Sequence, residues 1–536
     1  MTVLGARPGG STRSTMDPRP DRWPILALLC SSLLLIAVDA TVLHIAVPAL
    51  TADLEPTAVQ LLWIIDVYSL VVAPLLVVFG TLGDRYGRRR LVLLGYLVFG
   101  AASLSAAFAT TPAALIVSRA VLGVGGAMIM PATLSIIRQV FTDRRERAVA
   151  LGVWSAVAAG GAAIGPLVGG ALVEHFRWGT VFLINVPLLV VALPLAARLL
   201  PETPRRDGHR WDAPSAALAT LGVLCLAFGL KEAGRGSGAA LLILLAGAGL
   251  LAWFAVRQRR LAHPLLDLGL FAGRGFSVGV LCVLLAVFAL VGLELMLAQY
   301  LQLVLGDGPL RAAVRMLPLM VAAVTGGLSA AFLLRWFGLR ATMAGGLGLA
   351  GLSLTPTLAW GTEQHPWLLG LCFAGIGFGV QAALLAASDT IMACAPESRA
   401  GGAAAIEETA YELGAGLGVA VLGTVTTAVY APAVGPVAGV PPAALAQARE
   451  SLAAAAHVAA GLPGPAGGAL LDVARQAFVG ALHCAVLISV VLLGATTLAA
   501  LALTPRRSGP VGEGHDGGDT GQLSGQGGST PGEWAP

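Results

Sequence analysis

Lysine occurs once in the 536 residues, at Lys231. A phosphate-cradling loop of the Gly-x4-Gly-Lys-Ser/Thr type needs a lysine in that frame. Lys231 stands in Gly-Leu-Lys-Glu, so the chain has no such loop, and any work it does draws on an ion gradient or a separate subunit. Cysteine is scarce too. Cys30, Cys225, Cys282, Cys372, Cys394 and Cys484 lie in or at the ends of apolar runs, none at metal-ligand or secreted-disulfide spacing, and they read as small packing residues. No cluster matches nucleophile, metal or phosphate-binding spacing, so no enzyme, cofactor, metal or nucleic-acid partner is expected. Charge is the third shortage. Only 12% of the residues are Asp, Glu, Lys or Arg, about half the share of an ordinary soluble domain. With 57% hydrophobic residues and a mean hydropathy of +0.82, the solvent of this chain is lipid.

What is present is a series of apolar runs. A spanning helix needs about 20 such residues, and runs of that kind lie near 24–50, 61–82, 91–110, 113–138, 148–173 and 179–200. A pair follows near 213–231 and 239–256, then six more near 276–300, 312–334, 341–360, 366–392, 400–428 and 475–503. This predicts an all-α transmembrane protein of fourteen helices grouped 6+2+6. With the N-terminus in the cytoplasm, 25 of the 33 basic residues fall on cytoplasmic segments and six on outer ones, the latter including Lys231. Positive charge favours the inner side, so a multi-pass protein of the cytoplasmic membrane with both termini cytoplasmic is expected. Residues 1–22 and 504–536 are polar, Gly-, Pro- or Ser-rich and too poor in apolar side chains to bury a core; both are expected to be disordered. Between them stand a six-helix bundle over 23–200, a two-helix insert with flanking cytoplasmic loops over 201–275, and a second bundle over 276–503. The outer segment 429–474 has an Ala-rich part, 443–460, suited to short helices outside the membrane.

The acids that interrupt the apolar runs point to chemistry. Asp39 stands mid-span 1, Asp66 early in span 2, Glu294 late in span 9, and Glu407, Glu408 and Glu412 in span 13. A charge at bilayer depth costs about 2.5–3.5 kcal/mol even on lenient scales. Such a group persists where it faces a wet cavity, has a partner, or takes up a proton. A carboxylate that can hold either a proton or a cationic molecule makes the two compete. Glu408 and Glu412 share a helical face, whereas Glu407 is offset by about 100°. Arg119, also mid-membrane, reads as a partner for an acid or a relay, Asp389 as a solvated or paired end residue, and His44 as a helix-packing histidine. Trp63, Tyr68, Trp154, Tyr300 and Tyr411 are candidates to line a cavity, where each cation–π contact is worth about 0.5–2 kcal/mol.

Motifs sit between these acids. The loop after span 2 reads Gly80-Thr-Leu-Gly83-Asp84-Arg85-Tyr-Gly87-Arg88-Arg89-Arg90, glycines for a tight turn with an acid and arginines to pair across to a neighbouring helix. It resembles the signature loop of the major facilitator superfamily. Arg119-Ala-Val-Leu-Gly123-Val-Gly125-Gly126 resembles that family's span-4 motif. Gly160-Gly161-Ala-Ala-Ile-Gly165-Pro166-Leu-Val-Gly169-Gly170 resembles the span-5 motif of its antiporters. Phe182-Leu-Ile-Asn185-Val-Pro187 matches the start of span 6 in the fourteen-span drug–proton branch. Leu54-Glu55-Pro56 with Leu62-Trp63-Ile-Ile-Asp66-Val-Tyr68-Ser69, and Ala405-Ile-Glu407-Glu408-Thr-Ala-Tyr411-Glu412-Leu-Gly414, resemble the quaternary-ammonium efflux pumps.

The resemblance implies two pseudo-symmetric bundles that rock about a central site. It implies export of lipophilic cationic drugs in exchange for protons, by a monomer whose only partners are lipid, drug and proton. It assigns the six acids above to substrate or proton binding. Asp84 and Arg88 become a cytoplasmic latch, and the span-5 glycines with Pro166 a bendable seam. Span 10 departs from the pattern: after Leu317-Pro318 it carries no acid, which puts divalent substrates in doubt unless Glu294 substitutes. A dedicated exporter of one natural-product antibiotic remains the alternative.

Overall fold

A computed structural model of the chain describes residues 21–504, apart from 142, 203–211, 235–237, 262–263, 267, 362–365 and 396–399. The expected disordered tails fall almost wholly outside that range; Arg22, assigned to the first of them, already begins helix α1 (Arg22–Leu54). There α1 is followed by α2 (Ala58–Tyr86), α3 (Arg88–Ala107), α4 (Pro112–Val140), α5 (Arg144–His175), the single turn α6 (Thr180–Leu183) and α7 (Asn185–Leu199). The pair α8 (Ala213–Gly234) and α9 (Ala240–Arg260) leads to α10 (Arg274–Gln299), prolonged by a π-helical turn over Tyr300–Val304. Then come α11 (Pro309–Leu354), α12 (Pro366–Cys394), α13 (Ala400–Ala433), the short α14 (Pro442–Ala448) and α15 (Leu452–Gly461), and α16 (Ala466–Leu503).

The boundaries follow local chemistry. Between α1 and α2, Glu55 takes a left-handed φ of 46° and Pro56 follows, which ends α1. Thr57 then caps α2, its hydroxyl accepting from Gln60 N–H while the Gln60 side chain accepts from Thr57 N–H, a reciprocal capping box. Gly87, at φ 101°, is the hinge between α2 and α3; no residue with a Cβ adopts that angle readily. Gly338, at φ 76°, kinks α11. The two spans expected at 312–334 and 341–360 are the two helical arms on either side of Gly338, whose φ of 76° and ψ of 168° are not helical. Expected span 6 is the pair α6 and α7, broken at Ile184.

Twelve helices among the described residues are long and apolar enough to cross a membrane. Two of the fourteen expected spans, α5 and the arm of α11 beyond Gly338, are helical but are not among the twelve. The Ala-rich outer part does form two short helices, α14 and α15, but the spans on either side run longer than expected: α13 reaches Ala433 and α16 begins at Ala466.

Buried apolar side chains gather in two main cores, one from α1 to α7 and one from α10 to α16. The halves meet toward the end where α14 and α15 form a cap. There Gly423 faces Leu62, Gly170 faces Pro309 and Leu310, the Gln302 amide donates to the Ile45 carbonyl at 3.2 Å, and Glu450 accepts from Ala58 N–H at 3.0 Å. The opposite end is rich in arginine.

The α8–α9 hairpin is tied at its arginine-rich end, where Arg257 donates to both oxygens of Asp212 at 2.7 and 3.1 Å. Those bonds hold the Asp212 carboxyl below its ordinary range. A depressed carboxylate pKa adds stability above the unfolded value and loses it as pH falls through the folded one. Asp212→Asn is therefore expected to lower the thermal midpoint in detergent by a few degrees at pH 7. The gap to wild type should close as the pH is taken below about 4, near the unperturbed Asp value.

Candidate functional site

The buried charges fall into three constellations. The first joins five helices. Asp39 on α1 is fully buried and both its oxygens are occupied: Arg119 Nη1 on α4 donates to Oδ2 at 2.8 Å, and Asn185 Nδ2 on α7 donates to Oδ1 at 2.8 Å. Asn185 also donates to Ser103 Oγ on α3 at 3.0 Å. Arg119 goes further. Its Nε and Nη2 donate to the carbonyls of Ile64 and Ile65 on α2, at 3.2 and 3.4 Å, and the guanidinium lies 4.8 Å above the Tyr68 ring. The span-4 glycines make this approach possible. A Cβ at Gly123 would stand 2.8 Å from the Tyr68 carbonyl, and one at Gly126 would stand 2.8 Å from the Tyr68 hydroxyl. Arg119 is thus the partner of an acid, and Asp39 has no oxygen left for a substrate in this state.

The second constellation links the insert to the first bundle. Asp66 on α2 and Lys231 on α8 are both fully buried. Lys231 Nζ donates to Asp66 Oδ1 at 2.9 Å and lies 3.5 Å over the centre of the Trp63 ring. Trp63 is half-buried, its far side against Phe228. Asp66 Oδ2 is buried and has no hydrogen-bond partner among the described residues. This corrects the placement of Lys231 in an outer loop: α8 runs one turn past the expected end of the run, to Gly234, and turns the lysine inward.

The third lies on the seam between the halves. Glu412 of α13 is buried beside Ser69 of α2. Glu408 sits one turn away, and Glu294 of α10 approaches His44 of α1 at 3.9 Å, too far for a hydrogen bond; His44 Nδ1 has no hydrogen-bond partner. Glu294, Glu408 and Glu412 are all within electrostatic reach of Tyr411, which is 38% exposed. Glu407 points elsewhere, toward Ser388 of α12, in keeping with its 100° offset. On the cap side of these acids a small apolar pocket opens between α2, α10 and α13, lined by Leu62, Ile65, Met296, Gln299 and Thr426. Its wall includes the neighbours in sequence of Asp66 and Glu294, namely Ile65 and Leu295.

The expected cavity aromatics divide. Tyr411 and Trp63 retain exposed surface. Tyr68 is buried under Arg119, and Tyr300 is buried in the second core, stacked on Trp360 at 5.7 Å, so neither lines an open cavity. Trp154 packs half-buried on the first core.

In the signature loop, Arg88 Nη1 donates to the Ser135 carbonyl of α4 at 3.2 Å. Arg89 pairs with Glu202 at 2.9 Å, and Arg85 is exposed. The Asp84 side chain lies outside the described part of the structure. In α5, Gly161, Gly165 and Gly169 press on Ala37, Thr41 and Val42 of α1, and Gly170 presses on α11, with Pro166 inside the helix.

Two residues were missed by the sequence reading as site residues. Asn185 was legible as a lone amide in an apolar run, and Lys231 as the one cation at a span's end.

A family model of the Major Facilitator Superfamily matches residues 29–419. The chain is 42% identical over 461 residues to the methyl viologen resistance protein SmvA of Salmonella typhimurium, across 85% of this chain and 93% of that one. It is 40% identical over 494 residues to the multidrug efflux pump LfrA of Mycolicibacterium smegmatis, across 92% and 98%. Among solved structures, a bacterial homologue of the human lysosomal transporter Spinster, inward-facing and unoccupied, aligns with a TM-score of 0.63 at 19% identity, over 90% of this chain and 98% of that one.

Proposed function

Since the chain belongs to the major facilitator superfamily, and is thereby a membrane transporter and not an enzyme, we propose that it exports lipophilic, quaternary-ammonium-type cations and antibiotics across the cytoplasmic membrane in exchange for protons. Drug efflux itself follows from the family and the relatives; the charge of the substrate and the coupling ion are the proposal. One observation carries it. Glu294, Glu408 and Glu412, from α10 and α13, converge around Tyr411 where the two halves meet, beside an apolar pocket. Carboxylates at this depth hold a proton, a partner or a cation. Methyl viologen, named in one relative, is a flat dication, and Glu294 supplies an acid that span 10 lacks.

The cycle runs as follows. Fourteen spans are taken with both termini in the cytoplasm, so the capped end is external. The halves touch toward the cap, which supports a cytoplasm-facing state. Deprotonated Glu408 and Glu412 take up a cation there. After the halves rock, protons arriving from outside displace it. Each inward proton gains about 2.3 kcal/mol per 100 mV, plus the pH difference. Asp39 holds either Arg119 or a proton, and when protonated releases the guanidinium that fastens α2 to α1 and α4. Asp84 with Arg88 latches the cytoplasmic side in the opposite state. A monomer suffices for all of these steps.

Dye efflux in a pump-deleted host, with and without a protonophore, tests the coupling: efflux is expected to collapse with the gradient. In proteoliposomes, Glu408→Gln is expected to lower ΔpH-driven ethidium efflux at least about tenfold, a loss of about 1.4 kcal/mol or more. Full efflux by both Asp39→Asn and Glu408→Gln would remove the site assignment. Transport confined to one uncharged antibiotic would favour the dedicated exporter.

A further inference from the structure

We propose that Lys231 is a built-in competitor for the cation site. In the substrate-free state its ammonium occupies the place that the cationic head of a substrate takes against Asp66 and Trp63. This rests on the export of cations proposed above and extends it, because it gives the inserted helix α8 a part in choosing the substrate.

The geometry has three parts. First, the ammonium is held by a carboxylate at 2.9 Å and by the face of an indole at 3.5 Å. A carboxylate and an aromatic face together are what a lipophilic cation needs for recognition. Second, the pair is incompletely satisfied. Asp39 has both oxygens occupied, whereas Asp66 Oδ2 is buried and has no hydrogen-bond partner among the described residues. An unsatisfied buried acceptor costs stability, so the carboxylate is held here less completely than at Asp39. Third, the other 32 of the 33 basic residues are arginine, and lysine stands at this position alone. Arginine would engage the carboxylate with a rigid fork, whereas lysine brings a compact charge on a flexible stem that can swing away.

The location suits a competitor. Ile65 and Leu62, on either side of Trp63, line the apolar pocket at the seam. A small cluster of Leu70, Val223 and Ala227, with Trp63 and Leu413 packed on it, seats α8 between α2 and α13, next to Glu412. A tethered competitor lowers the apparent affinity for substrate by the fraction of time it vacates the site. Removing its charge unmasks the site, and a substrate that binds must expel the amine.

Two measurements on the full-length purified protein test this with tetraphenylphosphonium as the probe. Lys231→Met is expected to bind the probe at least tenfold more tightly than wild type. Asp66→Asn/Lys231→Met, which carries no buried charge at the site, is expected to fold and to lose that gain. Because the chain holds one lysine, acetylation by an amine-reactive ester, followed by mass spectrometry of its peptide, reports on Lys231 directly. Saturating probe is expected to raise the rate of Lys231 acetylation at least threefold, and Asp66→Asn to raise it without probe.

Equal or weaker binding by folded Lys231→Met, or acetylation unmoved at probe concentrations that saturate the protein, overturns the proposal and leaves cation export standing. If Lys231→Met fails to fold, the acetylation result decides alone. If wild type and both variants bind no probe, cation recognition and the competitor fall together.

Discussion

Arg119→Leu is expected to leave little folded protein in the membrane. The guanidinium makes three hydrogen bonds, one to Asp39 on α1 and two to carbonyls of α2, and it covers the Tyr68 ring. Its removal leaves the Asp39 carboxylate, fully buried, with Asn185 alone. Removing one partner of a buried ion pair costs about 3–5 kcal/mol, a large part of the roughly 5–15 kcal/mol that holds a typical fold. The measurement is the monodisperse fraction and thermal midpoint in detergent. Asp39→Leu/Arg119→Leu buries no charge and is expected to recover most of the lost stability, because contacting residues do not act additively. Transport should stay absent in both. If the single variant is as stable as the double, burial of the orphaned carboxylate is not what makes the corner fragile.

Gly165→Leu is expected to abolish efflux. A Cβ at Gly165 would overlap Thr41 Oγ1. The residues one turn either way are also close: a Cβ at Gly161 would stand 2.8 Å from the Ala37 methyl, and one at Gly169 would stand 2.8 Å from the Val42 carbonyl oxygen. Small residues at this spacing let two helices touch along their backbones; at Gly165 the Thr41 hydroxyl can turn away, but the Thr41 Cβ at 3.1 Å and the Val38 carbonyl at 3.2 Å cannot. Forced overpacking costs about 1–3 kcal/mol where the structure can yield, and α1 carries Asp39 on the same stretch. Transport in proteoliposomes is expected to drop by about two orders of magnitude in Gly165→Leu and less in Gly165→Ala. Gly160→Ala, where nothing stands within 4 Å, is expected to transport as wild type.

The spans were legible because twenty consecutive apolar residues have few other uses, and the acids because each interrupts such a run. The span-5 glycines were legible because their period matches a helix face. Other features depend on distance in three dimensions rather than on pattern. Lys231 sits at the boundary where a hydropathy run ends, and one further helical turn decides whether its side chain meets water or Asp66. The network around Asp39 draws on α1, α2, α3, α4 and α7, and no spacing in the chain joins Asn185 to Asp39 across 146 residues. Tyr300 and Tyr411 look alike in composition. The π-helical turn at Tyr300–Val304 sets the first against Trp360, and the second stays open at the seam. Gly338 reads as one glycine among 69. Its positive φ, which separates two helical arms, is a property of the backbone alone.

The cap of α14 and α15 has a kinetic consequence. Its contacts to the first bundle include the Glu450 carboxylate on the Ala58 amide and His457 opposite Glu55 at 3.4 Å, with side chains 46% and 58% exposed. Water replaces such partners as soon as they part, and exposed pairs contribute about 0–1 kcal/mol. Opening that mouth therefore meets a low, salt-sensitive barrier, while separation of the buried pairs deeper in the bilayer meets a high one. Turnover should thus be steep in temperature and nearly flat in ionic strength, with the slow step set at the depth of Asp39 and Asp66 rather than at the surface.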